Sequence, residues 1–298
     1  MFFAAGAVPA SDNAPVRPAA LQLQRADWLL QAGAGTYGPV PRLVAAPQGA
    51  WQPTSLPHVV PRTLVPAAAD GIDVAWFRVA VPPASQLPDP LPLRFYLPRW
   101  QTIGQIAVYA DGRLLFRSGA GPVWNGFNHP LWLPLEDDGG VRPRELLVRI
   151  DHQRSAGLAL SSIWVGAELA LQDSRWLREF VQSGLPFAAS TGFLVIGLFA
   201  LLVWVTRREA AYGLFFLCSA LFFVRCLHLH QGTEPLPISE DWFGWWTVQT
   251  LPAVATAVNV FALRLAGIRM PRAELVMLAL VAASAVALVQ STVQATSF

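Results

Sequence analysis

Two patterns of apolar residues divide this chain. From residue 184 onward, apolar side chains run almost without interruption in four stretches. Each has about the 20 residues that an α-helix needs to cross a hydrocarbon core of about 30 Å. Buried helices of a soluble protein are the alternative, and four such stretches joined by short loops argue against it. The predicted transmembrane region, 186–298, has spans at 186–206, 210–230, 242–263 and 274–294.

Before residue 173, apolar and polar positions alternate in short runs broken by Pro and Gly, which is the pattern of a β-sandwich. Asp111-Gly112 predicts a two-residue hairpin, since a type I′ turn needs positive φ at both central positions. The sequence therefore predicts an all-β jelly-roll domain over 20–172. Its predicted strands are 74–81, 91–97, 103–110, 113–119, 131–135, 145–151 and 163–171.

Charge supports this division and orients the spans. Residues 1–183 carry 15 arginines and 14 acids, whereas 184–298 carry six and five. Cytoplasmic loops are enriched in basic residues, so the arginine-bearing turns 207–209 and 264–273 are expected inside the cell. The acidic loop 231–241 and the first 183 residues are then extracytoplasmic. The net charge of +2 gives no indication of nucleic-acid binding.

The N-terminus agrees with export. Residues 1–10, MFFAAGAVPA, form a short apolar run that ends in small residues, as before a signal-peptide cleavage site. We interpret them as the remnant of a signal peptide, and a plain terminus is the alternative. Cys218 and Cys226 both lie in the second predicted span, so the outer domain has no disulfide.

Several motifs of the chain resemble a known family of receptors. WFRVAV, FYLPRWQTIGQIAVYADGRLL and LLVRID resemble a galactose-binding-like jelly roll. Followed directly by apolar spans, this domain resembles the bacterial seven-transmembrane receptors with diverse intracellular signalling modules. WNGFNHPLWLPL, SSIWVGAEL, RREAAYGLFF and RCLHLHQG are most similar to sensor histidine kinases of that family.

The resemblance implies a bacterial inner-membrane receptor that senses a small extracytoplasmic ligand. It also implies seven spans, a homodimer, and a cytoplasmic kinase that uses ATP and Mg and signals to a response regulator. This chain has four predicted spans and no kinase motif, so we expect it to be a fragment with no cofactor of its own. A diguanylate cyclase output is the alternative within the same class.

One aromatic and polar stretch is the candidate ligand site. In GPVWNGFNHPLWLPL, turn signals place residues 124–129 in a loop before a strand at 131–135. Aromatic rings that stack on sugar C–H groups, with amides that reach hydroxyls, would suit a carbohydrate-like ligand. A structural loop that closes the end of the sandwich is the alternative. The candidate residues are Arg99, Trp100, Trp124, Asn125, Asn128 and His129.

The segment 173–184, DSRWLREFVQSG, is predicted to be an amphipathic helix that connects the outer domain to the first span. It either transmits a shift of the domain or is a plain linker.

Three polar side chains, Arg225, His228 and His230, lie in the second span. Arg225 is close enough to the interface to extend its guanidinium to it, or to pair with an acid of the outer loop. The two histidines are two residues apart and do not share a helix face, so no metal site is predicted.

No catalytic motif appears: there is no GxGxxG, GxxxxGK[ST], HExxH, CxxC or GxSxG sequence. Whether the parent protein is an enzyme therefore depends on a domain outside these residues. A transporter with an extracytoplasmic binding domain is a competing class, although the spans hold few polar residues. A membrane-anchored carbohydrate-active enzyme is another, although one span would suffice for it.

Overall fold

The computed structural model describes residues 20–33, 37, 39–61, 71–83, 86–87, 92–102, 104–118, 128–136, 141–153, 157–230 and 238–296. Within these residues, a β-sheet region is followed by long helices. The predicted signal-peptide remnant, 1–10, lies outside this part of the chain.

Thirteen strands, β1 to β13, are present in the described residues of the N-terminal region. In chain order they are Ala20–Leu23, Arg25–Ala32, Gln52–Ser55, His58–Val60, Ile72–Ala80, Leu93–Leu97, Trp100–Gln101, Gly104–Ala110, Arg113–Arg117, Leu131–Pro134, Glu145–Gln153, Leu158–Leu160 and Ile163–Ala167. They form a four-stranded sheet in the order β1-β13-β6-β10 and a six-stranded sheet in the order β3-β2-β5-β11-β8-β9. A third sheet has the order β4-β12-β7. The predicted all-β region is confirmed.

The two larger sheets share one apolar core. Phe77 and Val108 of the six-stranded sheet and Phe95 and Val165 of the four-stranded sheet are all fully buried in the same cluster. Successive side chains of a strand point to opposite faces, so the neighbours of these residues lie on the outer faces. The outer face of the six-stranded sheet is itself covered, since Trp76 and Tyr109 pack against residues from the 40–51 segment.

The predicted hairpin is present. β8 and β9 pair in antiparallel register, and Asp111 and Gly112 between them have φ of 46° and 79°. The Asp111 carboxylate accepts hydrogen bonds from the backbone N–H groups of Arg144 and Glu145, which ties the turn to the start of β11.

The C-terminal half is helical. α1 spans Glu168–Glu179 and continues through a π-helical turn, Phe180–Gly184, into α2 at Leu185–Arg207. The remaining helices are α3 (Ala210–His230), α4 (Glu240–Leu265) and α5 (Pro271–Thr296). Among the described residues, four helices are long and apolar enough to cross a membrane, counting α1 to α2 as one helix of 40 residues. This agrees with the predicted membrane region.

The predicted boundary between strand and helix is wrong by several residues. The last strand was expected to run to 171 and the connecting helix to begin at 173, but β13 ends at Ala167 and α1 begins at Glu168. The carboxylate of Glu168, in the first turn of α1, favours a helix N-terminus there. It is also bonded to Arg94, which fixes the start of the helix against the sheet.

Each long helix packs against the next in the chain. Gly197 of α2 lies so close to α3 that a Cβ there would overlap the Ser219 hydroxyl, and small residues of this kind let membrane helices approach closely. At the turn between α4 and α5, Arg264 and Glu274 form an ion pair with two hydrogen bonds of 2.7 and 2.6 Å.

Candidate functional site

The outer face of the four-stranded sheet presents an aromatic pair next to the membrane helices. Leu131 and Leu133 of β10 are buried in the core, so Trp132 points to the opposite face. Tyr96 of β6 is its register partner, and the two rings meet edge to face with centroids 5.9 Å apart. The alternation predicted for 131–135 is therefore present, and it places Trp132 outside the sandwich.

Helix α1 contacts this aromatic pair through arginines. The guanidinium of Arg175 lies 5.1 Å from the ring centroid of Trp132, and Arg94 of β6 lies 5.8 Å from the same ring. Arg94 also donates two hydrogen bonds, of 3.1 and 2.9 Å, to the Glu168 carboxylate at the start of α1. Sheet and helix are thus joined by one ion pair and one shared indole ring.

A second contact between the sheet and α1, from Tyr96 to Arg178, lies one turn further along the helix. Burial raises the pKa of the Tyr96 phenol, and the charge and hydrogen bond of Arg178 offset part of this rise. The Tyr96 phenol therefore stays protonated and close to a guanidinium at neutral pH. Arg175 and Arg178 are three residues apart and share one face of the helix, so the same face makes both contacts.

The π turn joins this face to the membrane helices. Ser183 is buried, and its hydroxyl donates a 3.2 Å hydrogen bond to the carbonyl oxygen of Leu229 at the end of α3. Phe187 of α2 stacks on His230 with ring centroids 4.6 Å apart. The long helix therefore contacts the sheet at one end and a second membrane helix near its middle. Within the described residues, the long helix thus links the four-stranded sheet to α3.

The predicted ligand residues are only partly brought together. Leu131 pairs with Leu97, so the antiparallel register places Asn128 and His129, before β10, at the same sheet end as Arg99, after β6. This is the end remote from α1, which follows the opposite end of β13. Asn128 is 7% exposed, and within the described residues its Nδ2 has no hydrogen-bond partner.

Of the other predicted ligand residues, Trp100 is buried and two lie outside the described residues. Trp100 is 1% exposed and belongs to the core, because its pairing with Leu160 turns the ring inward. Its ring is thus not available to a ligand. Trp124 and Asn125 lie outside the described residues.

The polar residues of the second span have separate contacts. Arg225 donates from Nη1 to the carbonyl oxygen of Thr247 in α4, His228 Nδ1 lies against the Arg225 carbonyl oxygen, and His230 stacks on Phe187. The acidic side chains of the outer loop lie outside the described part of the chain, so the predicted ion pair of Arg225 stays a prediction. No group of three or more His, Cys, Asp and Glu residues suited to a metal occurs among the residues described.

Sequence reasoning missed a polar contact between α4 and α5. Gln249 donates a 2.8 Å hydrogen bond to the carbonyl oxygen of Val281 and accepts one of 3.2 Å from Ser284. Trp245, one turn earlier, donates to Ala285. The spacing of four residues between Trp245 and Gln249 was the available signal for a shared face.

A polar cleft on the six-stranded sheet was also missed, because β2 and β3 were not predicted as strands. It encloses about 540 Å³ and is lined by Arg25, Asp27, Ser55 and Arg78, among others. Arg78 bonds Asp27 at 2.8 Å and lies 4.6 Å from the ring centroid of Trp51. The cleft is of a size that holds small ligands.

Comparison with known proteins gives little further information. No family model matches the sequence, and no curated protein is significantly similar to it. Among solved structures, a β-glucuronidase of Bifidobacterium dentium is similar with a TM-score of 0.27 and 16% identity, over 47% of this chain and 21% of that one. A β-glucuronidase of Parabacteroides merdae has a TM-score of 0.28 and 14% identity, over 49% and 22%. At these scores the likeness assigns no activity to the chain.

Proposed function

We propose that the chain is the sensor and membrane portion of a bacterial signal-transduction receptor. In this proposal an extracytoplasmic jelly-roll domain binds a small ligand, and α1 passes the resulting movement to the membrane helices. The observation that carries it is the contact between Trp132 of the sheet and Arg175 of a helix that continues directly into a span. A passive linker would need no specific contact with the sheet.

The proposed path from the ligand to the membrane helices runs through β10 and α1. Asn128 and His129 lie immediately before β10, and Trp132 is the second residue of that strand. A ligand that orders this loop would shift β10 along its length, because a strand is stiff over a few residues. Trp132 would then displace Arg175, and the long helix would carry the displacement to Ser183 at the α3 contact.

A carbohydrate-like ligand suits the chemistry of the remote sheet end. Within the described residues, Asn128 Nδ2 has no hydrogen-bond partner and can donate to a hydroxyl, and the Arg99 side chain, which is exposed, suits a carboxylate. The polar cleft around Arg25 and Arg78 is a second place where an acidic sugar would fit.

The resemblance to sensor kinases supplies the output side of the proposal. A histidine kinase module outside these residues would use ATP and Mg on the cytoplasmic face, act as a homodimer, and transfer phosphate to a response regulator. A diguanylate cyclase is the alternative output. The orientation that this requires is tested by alkaline phosphatase fusions, which should be active at the 231–241 loop and inactive at the 264–273 loop.

The experiment for signalling uses the chain in lipid nanodiscs with galactose, glucose, galacturonate and glucuronate as probes. Binding is measured by thermal shift, and hydrogen exchange is followed in α1 and the π turn. We expect at least one sugar to bind and to change exchange in Glu168–Gly184, and Asn128→Ala to abolish both effects. If none of the sugars binds, the carbohydrate proposal is wrong. If a sugar binds and exchange in α1 is unchanged, the proposed path is wrong.

A further inference from the structure

A groove runs along α1 just before the first span. It encloses about 470 Å³ and is lined by Ser174, Leu177, Arg178, Val181 and Gln182. Their spacing of three and four residues places them on one stripe of the helix. The groove therefore combines a cation and an amide with two aliphatic side chains.

The helix surface around the groove is unusually apolar for a region in contact with water. Leu177 and Val181 are 57% and 50% exposed, and Trp176 and Phe180, stacked at 5.3 Å, are 64% and 43% exposed. Contiguous exposed apolar surface marks an interaction site. Because the helix continues directly into a span, the adjacent apolar phase is the membrane.

Helix geometry places the groove at headgroup level. At 1.5 Å per residue, the 29 residues from Arg178 to Arg207 span about 43 Å, and a bilayer with its headgroup layers is about 40–45 Å thick. If Arg207 lies in one headgroup layer, Arg178 lies in the other. Leu177 and Val181 then border the acyl chains, and Trp176 and Phe180 occupy the interfacial zone that aromatic residues prefer.

The polar groups of the groove are complementary to a lipid headgroup that carries both a phosphate and an N–H donor. Arg178 supplies several N–H donors, of which the contact with Tyr96 uses only part. Gln182 Oε1 is a buried acceptor without a hydrogen-bond partner among the described residues. A phosphate would accept hydrogen bonds from Arg178. An N–H group close to that phosphate would donate one to Gln182 Oε1, four residues along the helix.

We propose that this groove binds the headgroup of phosphatidylethanolamine, with the phosphate on Arg178 and the ammonium on Gln182. Phosphatidylcholine carries the same phosphate and has no N–H donor, so it satisfies only half of the site. The groove lies on the same helix that contacts Trp132, so a bound headgroup would bear on the sheet–helix junction.

The test is a lipid competition assay on the whole chain. The protein is purified in detergent, loaded with phosphatidylethanolamine or phosphatidylcholine of identical acyl chains, and bound lipid is counted by native mass spectrometry. We expect phosphatidylethanolamine to be retained about tenfold more strongly, the usual effect of one charge-assisted hydrogen bond. Gln182→Ala should remove this preference, and Arg178→Gln should weaken both lipids.

Two matched variants and one soluble probe make the result decisive. Gln172→Ala makes the same substitution on an exposed part of α1 outside the groove and should retain the preference. Tyr96→Phe removes the phenol hydroxyl near Arg178 and should also retain it. Equal retention of the two lipids by the unchanged protein overturns the proposal. Equally, if phosphorylethanolamine displaces the lipid at matched concentration, the site is for a soluble ligand. Neither outcome bears on sugar binding by the β domain, so this proposal and the proposed function fail separately.

Discussion

Replacing Trp132 by alanine should weaken the contact between α1 and the sheet. The change removes two cation–π contacts, with Arg94 and Arg175, each worth about 0.5–1 kcal/mol at an exposed site. It also removes the edge-to-face contact with Tyr96, worth about 0.5–1.5 kcal/mol. Only the contact with Arg175 joins the sheet to α1, so the free energy of local opening of α1 should fall by about 0.5–1 kcal/mol, which corresponds to about a 2- to 5-fold loss of exchange protection.

Hydrogen exchange of the chain in nanodiscs measures this effect directly, because local opening sets the protection of the α1 amides. Trp51→Ala is the matched control, since Trp51 also contacts an arginine, Arg78, but on the other sheet. It should leave α1 protection unchanged. A Trp132→Ala protein with a folded β domain and full α1 protection would refute the idea that this ring holds the helix to the sheet.

Two further predictions concern packing and pH. Gly197→Ala should destabilise the α2–α3 contact by overlap with the Ser219 hydroxyl, whereas Gly192→Ala, which has nothing within 4 Å of the new Cβ, should be neutral; thermal unfolding in detergent compares the two. Burial lowers the pKa of His58 and of His152, so their protonation favours the unfolded state and stability should fall as pH drops through the unfolded value near 6.5. Tryptophan fluorescence melts at pH 7.5 and 5.5 check this, and a melting temperature that is higher at pH 5.5 would contradict it.

The strands predicted from the sequence correspond to β5, β6, β8, β9, β10, β11 and β13. The alternation of Leu131, Trp132 and Leu133 was visible in the sequence, and so was the Asp111-Gly112 turn. β2 was missed because its buried apolar residues face both sides of the sheet. Ala26 faces the main core, and Leu29 faces the second apolar cluster, so period-two alternation disappears.

The candidate site was less predictable than the fold, because it depends on contacts between distant segments. Arg94, Trp132 and Arg175 come from three elements, and only the β6–β10 register and the position of α1 bring them together. The sequence predicts Trp100 as a ligand contact from its aromatic ring and its place beside Arg99 in a connection between strands. Its pairing with Leu160 places it in the core, and no local feature of the sequence reveals that pairing.

The π turn determines how the two contacts of the long helix are related. Arg175 meets the sheet and Ser183 meets α3, eight residues later. In a continuous α-helix, eight residues rotate the chain about 80° beyond two full turns. The i→i+5 hydrogen bond from the Leu185 N–H to the Phe180 carbonyl adds one residue to a helical turn. Arg175 and Ser183 then lie within about 20° of each other around the helix axis. Loss of the π turn would rotate the sheet-facing side of α1 by about 100° relative to α3. In the proposed function, a movement of β10 that converted the π turn into a regular α-helical turn would be transmitted as a rotation of α2.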